Sequence, residues 1–141
     1  MFIAHRHAER RILERIHEAG FTDITPAMAR LAARLDEGGS RLTALADSAG
    51  VTKQTAHVLV EQLIAGGYVR RTPDPQDGRA RLIVVAARGR RVTEVARRAE
   101  EGLLDEWREH LGARDLQRLT GILTRLREIT VLDGAAGTAT D

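Results

Sequence analysis

Between Leu42 and Val85 the chain switches from helical to alternating hydrophobic periodicity, and a single glycine, Gly50, interrupts the helical part. The order short helix, tight turn, second helix, hairpin leaves few folds open. Counting from Leu42, the small Ala46 falls where two crossing helices need close approach, Gly50 where the turn needs a permissive backbone, and Val51 and Leu59 where the pair needs core. Thr43 is placed to cap a first helix, Ala44–Ala49. Thr52 is placed to cap a second, whose inward face is Ala56, Leu59, Val60 and Leu63, up to Gly66 and Gly67. Tyr68–Thr72 and Arg81–Val85 then read as strands around the turn-rich run Pro73–Ala80, a hairpin with a long exposed tip. The expectation is a winged helix-turn-helix. For the helical run alone, the alternative is an ordinary helical hairpin whose alanines and glycine reflect coding bias.

The flanks are helical. Ile12, Leu13, Ile16 and Ala19 recur at helical spacing before Gly20 and predict a first helix over roughly His5–Ala19. Thr25 as cap and Pro26 as first position predict a second, carrying Met28, Leu31, Ala32 and Leu35 to about Asp36, with a short strand at Ser40–Leu42. Beyond Gly89 a long helix carries Val92, Val95, Ala96, Ala99, Leu103 and Trp107, and a last one carries Leu116 and the apolar residues that follow it. The expected fold class is therefore mainly α with a small β-hairpin wing. A lobe over about 40–89 is flanked by dimerisation helices over about 2–20 and 90–132, in one domain of 1–132, and the small, polar tail 133–141 is expected to be disordered. The stripes of the first and last helices exceed what so small a lobe can cover. They point to a homodimer held by Ile12, Ile16, Leu119, Ile122, Leu123, Leu126 and Ile129.

Composition removes other functions. Only 3% of residues are aromatic, too few for a platform that stacks single-stranded bases, and there is no cysteine for a disulfide, a thiolate metal site or a reactive thiol. His5 and His7 stand at a spacing that does not share a helix face, so no metal is expected. No nucleophile elbow, phosphate loop or paired-carboxylate constellation is present, so neither catalysis nor a cofactor is expected. Met1–Arg6 lacks the apolar stretch of a signal peptide, and no run approaches the ~20 apolar residues of a membrane span, so a cytoplasmic address and no membrane partner are expected. The formal charge is only +2, but Arg41–Arg91 holds nine basic residues against four acidic ones, a net +5 that leaves −3 for the rest. A basic middle between mildly acidic ends suggests a lobe that binds a polyanion.

The runs Leu42–Ala46, Gly50–Thr55, Gly67–Arg71 and Asp74–Ala80 resemble the MarR family of transcriptional regulators, closely over Leu42–Gly89 and by pattern alone in the flanking helices. Asp77-Gly78-Arg79 resembles the family's wing signature, which implies an arginine at the wing tip that enters the minor groove of DNA. The resemblance also implies that the first and last helices of two subunits interlock. A first helix that is short at its N-terminal end departs from that pattern. A small anionic aromatic effector is implied as well, for which an apolar crevice between the lobe and the dimer helices is a suitable place.

The chemistry of the residues agrees. Thr52, Lys53, Gln54, Thr55 and His57 lie on the N-terminal part of a helix that fits the major groove, where Gln54 can read adenine with both ends of its amide and Lys53 can take guanine or phosphate. Solvated surface is the alternative for Lys53 and Gln54; His57 either touches phosphate or sits idle. Arg79 and Arg81 suit a narrow, electronegative minor groove, Asp77 is placed to orient Arg79, and Arg70 and Arg71 suit positioning contacts to the backbone. The expectation is a sequence-specific, ligand-responsive repressor acting as a homodimer on double-stranded DNA with a pseudo-palindromic operator. The alternatives are a ligand-independent architectural DNA-binding protein and a winged helix used as a protein-interaction module.

Overall fold

The computed structural model describes the backbone of residues 2–136 and the side chains of residues 3–126. Among the described residues six helices and one hairpin follow in the order α1 (Phe2–Glu18), α2 (Pro26–Ala32), α3 (Leu42–Ala49), α4 (Lys53–Ala65), β1 (Val69–Asp74), β2 (Asp77–Val85), α5 (Ala87–Leu111) and α6 (Ala113–Ala136). The chain divides into two compact units, with a boundary after Glu100, inside α5.

The first unit holds the helix-turn-helix and the hairpin. Gly50 closes α3 with φ 64° and ψ 35°, a left-handed turn that costs a residue with a Cβ more than it costs glycine. Thr52 caps α4 and Thr25 caps α2 ahead of Pro26. Thr43, by contrast, caps nothing. It lies inside α3, which begins at Leu42 with Arg41 in the cap position and no side-chain cap bond. The strand expected at Ser40–Leu42 reduces to a single bridge between Ser40 and Ile83. α2 ends earlier than expected because Arg34 and Leu35 donate to Leu31 and Ala32 in a tightened last turn, and the Asp36 N–H is taken by Ser40 Oγ.

The strands pair antiparallel, Val69 with Val85 and Arg71 with Ile83, and the ladder shifts between Pro73 and Asp74. Both strands reach further than the sequence suggests, so only Pro75 and Gln76 lie between them. α5 starts before Gly89 rather than beyond it. A Cβ at Gly89 would lie 2.1 Å from Tyr68 O, so this glycine permits a close approach of helix to chain instead of ending a strand.

The core of this unit gathers Ile16, Phe21, Ile24, Met28, Leu31, Leu45, Ala46, Ala56, Val60, Leu63, Tyr68, Val69 and Ile83, with Val92, Val95 and Ala96 of α5 packed against it. Of Ile12 and Ile16, both expected at a subunit interface, Ile16 belongs here. Ile16 is 3% exposed and Ile12 packs partly buried against the same cluster, because the α1 stripe is satisfied within its own chain. α1 itself begins at Phe2 rather than His5.

In the second unit Leu103 and Leu116 are buried. Gly112, with φ 81°, separates α5 from α6. α6 runs to Ala136, past Asp133 and into the segment expected as a disordered tail, where Ala135 and Ala136 favour helix. Residues 137–141 lie outside the described residues.

Candidate nucleic-acid interface

The N-terminus of α4 is built by its cap. Thr52 Oγ accepts the Thr55 N–H at 3.1 Å and donates its own proton to Thr55 Oγ at 2.9 Å, so both hydroxyls are engaged in holding the first turn. Lys53, Gln54 and His57 stand exposed on the following turn. Among the described residues no side-chain hydrogen bond or ion pair is recorded for Lys53 or Gln54. Val58, which the sequence reading passed over, is 46% exposed on the same helix. Glu61 ends this exposed face, ion-paired with Arg71 of β1 and 3.9 Å from His57 Nδ1. The Arg71 hydrogen bond holds the Glu61 carboxyl below its ordinary value. Arg71, expected to position DNA backbone, is therefore a partner of α4, while Arg70 points to solvent.

The wing is anchored by a residue that sequence reasoning missed. Asp74 is 7% exposed, the one buried carboxylate among the described residues, and its Oδ2 accepts from Arg41 Nε at 2.8 Å and Nη2 at 2.5 Å. Its Oδ1 accepts the Gln76 N–H at 2.9 Å. That backbone bond, followed by Arg41, holds the Asp74 carboxyl below its ordinary value of 3.8. One arginine at the start of α3 thus fixes the root of the wing to the helix-turn-helix.

Asp77 accepts the backbone N–H of Arg79 at 3.1 Å and lies 3.8 Å from Arg41 Nη2. It shapes the turn rather than gripping the Arg79 guanidinium. Arg79 is exposed, with no side-chain partner recorded among the described residues. Arg81 differs: its Nη1 donates to Gly78 O at 3.3 Å and Ala80 O at 3.2 Å, bracing the tip.

The net +5 of Arg41–Arg91 overstates the charge available to a partner. Arg41, Arg71 and Arg88 are ion-paired with Asp74, Glu61 and Asp23. Arg88 also lies 4.7 Å over the Tyr68 ring, and Arg91 5.6 Å over that of Phe21. Burial, then the hydrogen bond to Asp23, pushes the Tyr68 hydroxyl up to about 12, so it stays a donor and rivets the start of β1 to the α1–α2 loop. Among the described residues Lys53, Arg70 and Arg79 remain the lobe's cations with no ion pair, side-chain hydrogen bond or ring contact.

In the second unit Leu119, Ile122, Leu123 and Leu126 of α6 are each 40% to 46% exposed, at i, i+3, i+4 and i+7. The side chain of Ile129 lies outside the described residues. A groove of about 500 Å³ in the first unit is lined by Glu37, Arg70, Val84, Val85, Arg90, Thr93, Glu94 and Arg97, a more charged wall than the apolar crevice expected. No cluster of metal-ligating side chains occurs among the described residues, and no helix there is long and apolar enough to cross a membrane.

The MarR family profile matches residues 22–80, which takes in α2, the helix-turn-helix and the wing tip. No curated protein sequence matches the chain. Among solved structures, a MarR transcriptional regulator from Methanosarcina mazei superposes with a TM-score of 0.75 at 19% identity, over 92% of this chain and 91% of that one. A transcriptional regulator from Thermotoga maritima gives 0.61 at 28% identity, over 92% and 89%. The apo form of MarR from E. coli gives 0.68 at 20%, over 89% and 91%.

Proposed function

We propose that the chain is a member of the MarR family, supported by the profile match over residues 22–80, and that it is a non-enzymatic transcriptional regulator that binds duplex DNA sequence-specifically as a homodimer. The observation that carries this reading is the pairing of an exposed, Thr52-capped α4 with a wing whose root is locked by Arg41 and whose tip leaves Arg79 without a partner. A rigid reading helix suits the major groove, and a guanidinium on a fixed turn suits the narrow minor groove beside it. In this reading Lys53, Gln54, Thr55 and His57 contact bases and phosphates, with Thr52 fixing the helix end, Arg79 enters the minor groove and Arg70 contacts backbone.

The exposed α6 stripe of Leu119, Ile122, Leu123 and Leu126 supports a second copy as its cover. Two lobes would then meet successive major grooves about 34–36 Å apart on a pseudo-palindrome. Repression by occupancy, relieved by a small anionic aromatic effector, completes the reading. In the groove Arg97 is already ion-paired with Glu94, which leaves Arg70 and Arg90 as the cations for such an anion.

The test is binding to genomic duplex fragments at two or more salt concentrations. Three unpartnered cations per lobe and two lobes predict a slope of log affinity against log salt of about −5. Retention of some fragments over others, each protected at two sites one helical turn apart, is the expected result; indifferent retention, or none, would overturn the reading. Titrating phenolic acids into the complex tests the effector, which is expected to release the duplex.

A further inference from the structure

The described side chains that α4 presents to solvent beyond its cap are Lys53, Gln54, Thr55, His57, Val58, Glu61 and Gln62, with Ala65 at the end. Val58 is the exception among polar neighbours. It is 46% exposed and is not among the residues packed against the core. A β-branched residue lowers helix propensity relative to alanine or a straight-chain residue, and an isopropyl group half in water returns little burial. Folding therefore gives no reason for valine here. The position does have functional neighbours: Gln54 lies one turn earlier on the same face, and Glu61 one turn later, its carboxylate held by Arg71.

A valine side chain can neither donate nor accept a hydrogen bond, so it cannot read the polar pattern of the major groove. The one apolar feature that standard base pairs show there is the C5-methyl group of thymine. We infer that Val58 reads a thymine methyl in the base step adjoining the pair contacted by Gln54. Gln54 and Val58 together then specify neighbouring A·T pairs by two different chemistries, an amide on one and a methyl contact on the other. This rests on the reading of α4 as the helix that enters the major groove.

The test uses the full chain and a duplex selected by it from a random pool, with each thymine replaced in turn by deoxyuridine in both half-sites. Deoxyuridine keeps every hydrogen-bonding group and removes only the methyl. At one symmetric pair of thymines the substitution is expected to weaken binding about fourfold per half-site, the loss for one buried methyl group. Val58→Ala should bind the unmodified duplex weaker by a similar factor and be indifferent to deoxyuridine at that place, whereas Gln54→Ala should keep the deoxyuridine penalty. An unchanged thermal midpoint shows that Val58→Ala is folded, as expected at an exposed helix position. If no thymine shows a penalty, or if Val58→Ala keeps it in full, the inference is overturned while the DNA-binding reading stands. Failure of the wild-type chain to retain any duplex would overturn both.

Discussion

Asp74 stands at the root of the wing and ties it to α3 through Arg41, 33 residues earlier in the chain. Its carboxyl titrates below the ordinary 3.8, so the charged form is the one the fold favours. The stabilisation is fully present above the unfolded value and is lost as pH falls through the depressed one. Thermal midpoints of the wild type and Asp74→Asn should therefore differ at neutral pH and converge as pH drops below about 4; a gap that persists into acid would remove the carboxylate from the explanation. For Arg79→Ala, folding should be intact and the salt slope should fall by about one for each lobe bound, measured by titration at several salt concentrations. Gln54→Ala should cost about 1–3 kcal/mol of discrimination between operator and random duplex in competition binding. That Gln54 and Arg79 stand exposed was legible from position alone, because caps and turns place them locally. The grip on Asp74 was not: nothing between residues 41 and 74 marks the two as partners, and turn chemistry alone assigns the aspartate to solvent.

At the scale of elements, local signals were read correctly where the competing force was also local. Thr25 with Pro26, Thr52 and Gly50 mark helix ends through bonds to their own neighbours, and those ends fell where the sequence put them. Thr43 failed because the chain entering α3 is held by the Arg41 ion pair and the Ser40–Ile83 bridge, which start the helix two residues earlier. The α1 stripe misled for a related reason. An apolar stripe shows that something covers it, and in Ile16 the cover is the chain's own core rather than a partner. Gly89 gives a direct check on the packing of α5. Gly89→Ala would drive a methyl against the Tyr68 carbonyl and is expected to destabilise by about 1–3 kcal/mol in chemical denaturation; a neutral result would mean that α5 starts elsewhere.

For the whole molecule, the decisive quantity is how the stripe on α6 is covered. Leu123→Glu places a carboxylate in the middle of that exposed row, and sedimentation should show the proposed dimer giving way to a monomer whose far-ultraviolet spectrum is unchanged. A dimer that survives would move the interface elsewhere. The partition of arginines in the lobe bears on a different matter, the time the protein spends on DNA it has no use for. A cation already neutralised by a carboxylate of its own chain displaces fewer counterions, so the ion pairs of Arg41, Arg71 and Arg88 subtract from the sequence-independent grip but not from the contacts that read bases. Dwell times on random duplex should accordingly be short, sliding runs brief, and the search for a target made mostly of hops through solution, with residence at the operator set by the few side chains that distinguish it.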